Sequence, residues 1–143
     1  MTPTQTAMQT LFQMSAPVVP LRGAHLDLKG MPPTAERLEA LPALLAAARY
    51  NVVLVEWEDA FPWTTDVRFR SPTAYAPETV RRFAAAAREH GLEVIPLVQC
   101  LGHMETPLGV PGAERLREAE DDPTTLNPMA PGARELVENM VDD

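Results

Sequence analysis

Three short apolar runs, at about residues 22–28, 51–57 and 93–100, are each followed by a segment with helical spacing, and that alternation limits the chain more than any motif does. The middle run, Asn51-Val-Val-Leu-Val-Glu-Trp57, is compact and rich in β-branched residues, as a buried strand requires. After Pro32-Pro33, Thr34 is placed to cap a helix over about 34–49 that carries Leu38, Leu41, Leu45 and Ala48. Pro42 lies inside that run, so a kink or two short helices is expected there. Pro77 opens a second helix, to about residue 90, with Val80, Phe83, Ala84 and Ala87 as its stripe and Gly91 at the left-handed cap position. A long Gly/Pro loop follows the third strand, and a last helix runs over about 131–143 with Leu136, Val137, Met140 and Val141. Strand alternating with helix implies βαβ units and a parallel sheet. Residues 1–20 have no clear period and read as a lead-in to one domain over 21–143.

Side chains alternate faces along a strand, so each strand can be divided into two sets. Ala24, Leu26 and Leu28 share one face of the first strand, and His25, Asp27 and Lys29 share the other. In the second, Val53, Val55 and Trp57 oppose Val52, Leu54, Glu56 and Glu58; in the third, Val94, Pro96, Val98 and Cys100 oppose Ile95, Leu97 and Gln99. One face of each strand is apolar throughout, and the other turns polar toward its carboxyl end. A doubly wound sheet buries both faces, whereas a (β/α)₈ barrel opens its inner face at the carboxyl end into a site. The fold class expected is therefore α/β, with about three βα units forming the N-terminal portion of an incomplete (β/α)₈ barrel. Such a barrel takes about 250 residues, and this chain has 143.

Composition excludes several classes. Twenty acidic against twelve basic residues give a net charge of −8, and no basic stripe is present to meet nucleic-acid phosphates. The longest apolar stretch, 43–48, is far short of the roughly 20 residues that span a bilayer, so no membrane partner is expected. A lone Cys100 offers no internal disulfide and residues 1–20 show no signal-peptide pattern, which leaves a cytoplasmic location as the expectation.

The chemistry-bearing residues fall at strand ends. Glu56-Trp-Glu-Asp59 supplies carboxylates suited to holding a polyhydroxylated ligand, or else forms a solvated turn with Asp59 as a cap. His103, in Gly102-His-Met-Glu105, orients a substrate or a carboxylate, or is a loop histidine bonded to backbone. His25, Asp27, Glu56, Glu58, His103 and Glu105 form a scattered potential metal set, but no His-x-His or HExxH spacing supports it. Trp57, Phe61 and Trp63 suit the apolar face of a sugar or a core. Cys100 reads as a buried thiol.

Four ordered blocks are more specific: Arg22-Gly-Ala-His-Leu-Asp-Leu-Lys-Gly30, Tyr50-Asn-Val-Val-Leu-Val-Glu-Trp-Glu-Asp-Ala-Phe-Pro62, Val94-Ile-Pro-Leu-Val-Gln-Cys-Leu-Gly-His-Met-Glu105, and Leu116-Arg-Glu118 with Thr125-Leu-Asn-Pro128. Over about residues 21–128 the chain resembles the beginning of the catalytic barrel of family 20 glycoside hydrolases, the β-N-acetylhexosaminidases, and within them the hexosaminidase D branch. That resemblance implies an exo-glycosidase acting on glycans that end in N-acetylhexosamine, without a metal or organic cofactor. It further implies a retaining mechanism in which the substrate's acetamido oxygen attacks the anomeric carbon. An Asp-Glu pair at the fourth strand does the protein's share. By matching positions, Arg22 corresponds to a sugar-binding arginine, Asp27 to the Leu-Asp aspartate, Glu58 and Asp59 to second-strand acidic residues, and His103 to a histidine supporting the catalytic carboxylates. Gln99 and Leu101 replace an acidic residue and a proline of the classical pattern, as in the hexosaminidase D type. No catalytic residue is expected in this chain, because the Asp-Glu pair falls beyond Asp143. The chain alone is expected to be inactive, its partner being the remaining C-terminal part of the barrel. A non-catalytic sugar-binding or assembly module is the alternative, with a metal-dependent barrel hydrolase behind it.

Overall fold

The computed structural model describes residues 17–143, so most of the expected lead-in lies outside the described residues. Strand β1 (Gly23–Asp27) is followed by helix α1 (Ala35–Ala47), β2 (Val52–Glu56), α2 (Pro77–Glu89) and β3 (Glu93–Leu97). The three strands form one parallel sheet in the order β1-β2-β3. Helices α1 and α2 pack against each other and on the same side of the sheet. Leu28, Leu38, Val53, Val55, Trp57 and Phe83 form the core there, with Leu26, Leu45, Val80 and Val94 around them. Full burial of a Leu, Val or Phe side chain contributes about 1.5–3 kcal/mol, so this layer dominates the stability of the sheet. Sequential parallel strands with both helices on one side are the arrangement a barrel wall needs; a doubly wound sheet would divide its helices between two faces.

The opposite face is open. His25 and Asp27 are exposed and Ile95 is 41 % exposed, while Leu54 and Glu56 are half-buried. The register places Asp27, Glu56 and Leu97 in one row across the sheet, and His25, Leu54 and Ile95 in the next. The polar parity read from the sequence is therefore a real row of neighbours.

Both helices end in the same way. After α2, Gly91 (φ +73°) donates its N–H to the Arg88 carbonyl, and Leu92 donates to Ala87. After α1, Arg49 (φ +65°) donates to Ala46, and Tyr50 to Leu45. This double bonding satisfies carbonyls that the helix end leaves open. Pro42 does not divide α1 into two short helices: one helix runs through it, with the ring fully buried. Packing of that ring offsets the single helical hydrogen bond that proline removes.

Residues 101–130 are not the long loop that their Gly and Pro content suggests. They form helix α3 (Glu105–Gly109), a 3₁₀ turn at Glu114–Leu116 and an antiparallel hairpin of β4 (Arg117–Ala119) and β5 (Asp122–Leu126). The last helix, α4, spans Ala133–Asp142. These elements gather Trp63, Phe69, Met104, Leu108, Leu116, Leu126, Ala133 and Met140 into a second core. Phe61 packs against both cores, and an aromatic run Phe83–Trp57–Phe61–Trp63 with centroid spacings of 5.7, 5.9 and 4.8 Å connects them. Among the described residues no helix is long and apolar enough to cross a membrane.

Candidate active-site edge of the sheet

Polar side chains converge where β1, β2 and β3 end. Glu56 is the hub: one carboxylate oxygen stands 3.0 Å from His25 Nε2, and the other accepts a hydrogen bond from Gln99 Nε2. His25, Glu56 and Gln99 thus link all three strand segments. Asp27 accepts the Lys29 N–H through Oδ1 at 2.9 Å, which turns the chain sharply after β1. The Lys29 ammonium reaches across to Glu105 Oε2 at 3.1 Å and to Glu58 Oε2 at 3.9 Å.

Glu58 occupies the tightest position. Its side chain is 5 % exposed, and Oε1 is buried with no hydrogen-bond partner among the described residues. Its backbone is left-handed (φ +49°), which for a non-glycine residue costs energy that other contacts must offset. The Trp63 indole N–H holds the Glu58 carbonyl at 2.7 Å, and Phe61 N–H donates to the same oxygen. Burial pushes the Glu58 carboxyl up; Lys29 pulls it down, and hydrogen bonding with Glu56 and the charges of Glu56 and Glu105 raise it again, to about 7. Glu105 moves the other way, held low first by its own backbone N–H and, against burial, by Lys29. For Lys29 burial works against the charge, but Glu105, Glu58 and Glu56 together outweigh it and hold the ammonium above its usual range.

His103 joins this edge from the loop after β3, in a second left-handed backbone (φ +56°). The hairpin sets its place. Met104 N–H donates to the Thr124 carbonyl at 3.0 Å, Leu126 N–H donates to Leu101 at 2.8 Å, and the Met104 side chain is fully buried. Arg117, in turn, binds the Leu108 carbonyl at the end of α3 through Nε at 3.0 Å and Nη2 at 2.8 Å. Glu56, Glu58, Gln99, His103, Trp63 and Met140 line a cavity of about 20 Å³. That admits one water or one hydroxyl group, not a ring.

The structure brings Asp27, Glu58, Gln99 and His103 to one edge, and leaves Arg22 apart from it. Arg22 precedes β1, so it stands at the amino end of the sheet. Its guanidinium binds the carbonyls of Arg49, Val19 and Pro20, and its backbone N–H meets Asn51 Oδ1 at 2.8 Å. A sugar-binding role for Arg22 at the carboxyl edge does not fit this placement; it clamps the strand entry instead. Asp59 sits in a 3₁₀ turn (Glu58–Ala60) and contributes its backbone carbonyl to Ser71 N–H at 2.8 Å. It caps no helix; Asp66 performs that task for the turn Val67–Phe69. Cys100 is half-buried rather than buried, with its thiol toward the Val98 carbonyl. Trp57 and Trp63 are buried in the two cores. Sequence reasoning gives Lys29 no role, and it names Glu56 and Glu105 among the strand-end carboxylates and possible metal ligands but not among the matched site positions. Glu56 shares the parity of Glu58, so the signal was present for it. Among the described residues no three His, Cys, Asp or Glu side chains are grouped to hold a metal ion.

No family model matches the chain. Over 123 residues it is 41 % identical to hexosaminidase D of Bos taurus and, over the same length, 41 % identical to hexosaminidase D of Homo sapiens. The chain is a relative of hexosaminidase D. The match takes in 85 % of this chain but only 36 % and 25 % of those two proteins, so the chain spans about a third or less of the curated relatives it matches. The fold agrees with that relationship. A family 20 exo-β-N-acetylglucosaminidase from Vibrio harveyi, solved in complex with N-acetylglucosamine, superposes with a TM-score of 0.70 at 20 % identity, over 90 % of this chain and 26 % of that one. Flavobacterium johnsoniae chitobiase gives 0.67 at 21 % identity, over 85 % and 21 %. The architecture of this hexosaminidase D relative is thus part of a barrel fold like that of these two structures, and its polar edge lies at the carboxyl ends of the wall strands.

Proposed function

We propose that these residues form the first part of the substrate site of a β-N-acetylhexosaminidase-like exo-glycosidase that removes terminal β-linked N-acetylhexosamine from a glycan. The observation that carries this reading is Glu58: its carboxyl is buried, one oxygen has no hydrogen-bond partner among the described residues, and the residue lines a cavity the size of a hydroxyl at the carboxyl edge of a parallel sheet. A sugar hydroxyl donating to Glu58 Oε1 would supply the partner that the fold withholds, and a site that hydrogen-bonds a hydroxyl discriminates strongly in its favour. The relationship to hexosaminidase D supports the choice of substrate class.

The reaction proposed is a retaining one, in which the substrate's acetamido oxygen attacks the anomeric carbon while a carboxylic acid protonates the leaving oxygen. That acid and its aspartate neighbour come from outside these residues, in whose sequence no Asp is followed directly by Glu. Asp27, Glu58, Gln99 and His103 therefore bind and orient, and the 143 residues alone turn over no substrate.

The test is hydrolysis of 4-nitrophenyl N-acetyl-β-D-glucosaminide, followed by absorbance and by proton NMR of the sugar first released. The gene product that continues through a fourth strand releases the β-anomer, Glu58→Gln in that protein lowers kcat/KM at least about tenfold, and the 143-residue chain is inert. Release of the α-anomer removes the retaining mechanism, and turnover by the 143-residue chain removes the assignment of the acid to residues outside it.

A further inference from the structure

Lys29 is the cation paired with Glu58, and its surroundings are unusual. Its backbone is anchored by the Asp27 carboxylate, its ammonium binds Glu105 at the start of α3, and the same ammonium lies 3.9 Å from a carboxyl that is almost wholly buried. The groups facing Glu58 are Lys29 from the turn after β1, Glu56 from β2, Glu105 from α3, and His103 from the loop between β3 and α3; His25 lies behind Glu56. Glu58 and Glu105 thus share one ammonium, with Glu56 next to them.

We propose that Lys29 is a positioning residue for Glu58: bridging the β1 turn and α3, its ammonium holds the Glu58 carboxyl toward the cavity and keeps it available as a carboxylate at neutral pH. The inference rests on the reading of this edge as a sugar site only for its use in catalysis; the electrostatic coupling itself does not depend on that reading. Physically, an ammonium near 4 Å favours the charged form of a carboxyl, whereas the neighbouring Glu56 and Glu105 charges disfavour it. Without Lys29, burial and two like charges act on Glu58 unopposed. Glu58 then holds its proton and donates a hydrogen bond instead of accepting one from a ligand hydroxyl.

The experiment is a carbon-13 titration of the Glu side-chain carboxyls in the full chain, with the Glu58 resonance assigned by its loss in Glu58→Gln. The midpoint of the Glu58 resonance is the quantity read. It is expected near 7 in the wild-type chain. Lys29→Met raises it by about one unit, a tenfold drop in the ratio of charged to neutral Glu58, and Lys29→Arg restores it to within a few tenths. Lys29 is 41 % exposed, so both variants keep the core intact, and circular dichroism verifies this. An unmoved midpoint in Lys29→Met, or an equal shift in Lys29→Arg, overturns the proposal. In the hydrolytic gene product, Lys29→Met moves the pH profile of kcat/KM by the same amount. Absence of hydrolysis there overturns the glycosidase reading and leaves the titration as the test of Lys29.

Discussion

Glu58 combines a left-handed backbone, a buried carboxyl and an orphaned oxygen, so its energetics depend on pH in a definite direction. Its pKa is raised from 4.5 to about 7 in the folded chain, so the native state binds the extra proton more tightly than the unfolded one. Stability attributable to this group is therefore greatest below pH 4.5 and falls as pH rises through about 7. Glu58→Gln, which has no charge to desolvate, should be more stable than wild type at pH 8 by on the order of 1–3 kcal/mol. The gap should close by pH 4.5, the ordinary value for this carboxyl, and urea melts at the two pH values measure it. At this scale the sequence was informative where parity applies. Asp27, Glu56 and Glu58 share a face because strands have a period of two, and the register confirms the Asp27–Glu56 pair as neighbours. Arg22 shows the opposite case. Carried over by resemblance, it was placed among the sugar ligands, yet a residue preceding a parallel strand belongs to the amino end, and strand polarity alone would have set it apart.

Among the elements, the two sheet-covering helices end in one hydrogen-bond pattern built on different residues, Gly91 and Arg49. Nothing lies within 4 Å of a Cβ placed on Gly91, so Gly91→Ala tests backbone strain alone. It should lower stability by about 1 kcal/mol. A thermal melt of the variant against the wild-type chain measures it. Helix existence, the Thr34 cap and the Gly91 cap were legible because they depend on local signals, whereas the left-handed end at Arg49 carries no such signal. The α3 and hairpin segment was not legible. Its Gly and Pro residues mimic a loop, and its order comes from non-local bonds, such as Thr124 to Met104 and Leu101 to Leu126, that no spacing reveals. That α1 continues through Pro42 was not legible for a related reason, since only burial shows that a proline can remain inside a helix.

For the molecule as a whole, two cores divide the work. The sheet core carries Glu56 and Glu58, and the second core carries the loop with His103. Met104 is the fully buried side chain next to His103, so Met104→Ala should cost about 2–5 kcal/mol and also misplace the histidine. A thermal melt reads the first effect. The His103 imidazole proton shifts read the second, and unchanged shifts would show that the hairpin bonds alone hold the loop.

The aromatic junction at Phe61 bears on more than packing. Two groups of elements that each have a core of their own need not open together, and one can unfold and reclose while the other stays intact. Amide hydrogen exchange should then show residues 104–126 exchanging as one cooperative group, ahead of the β2 amides at 52–56. The two halves of the polar edge would meet only while both groups are closed. Changes in the hairpin could thus alter how often the site is assembled without altering any residue that lines it.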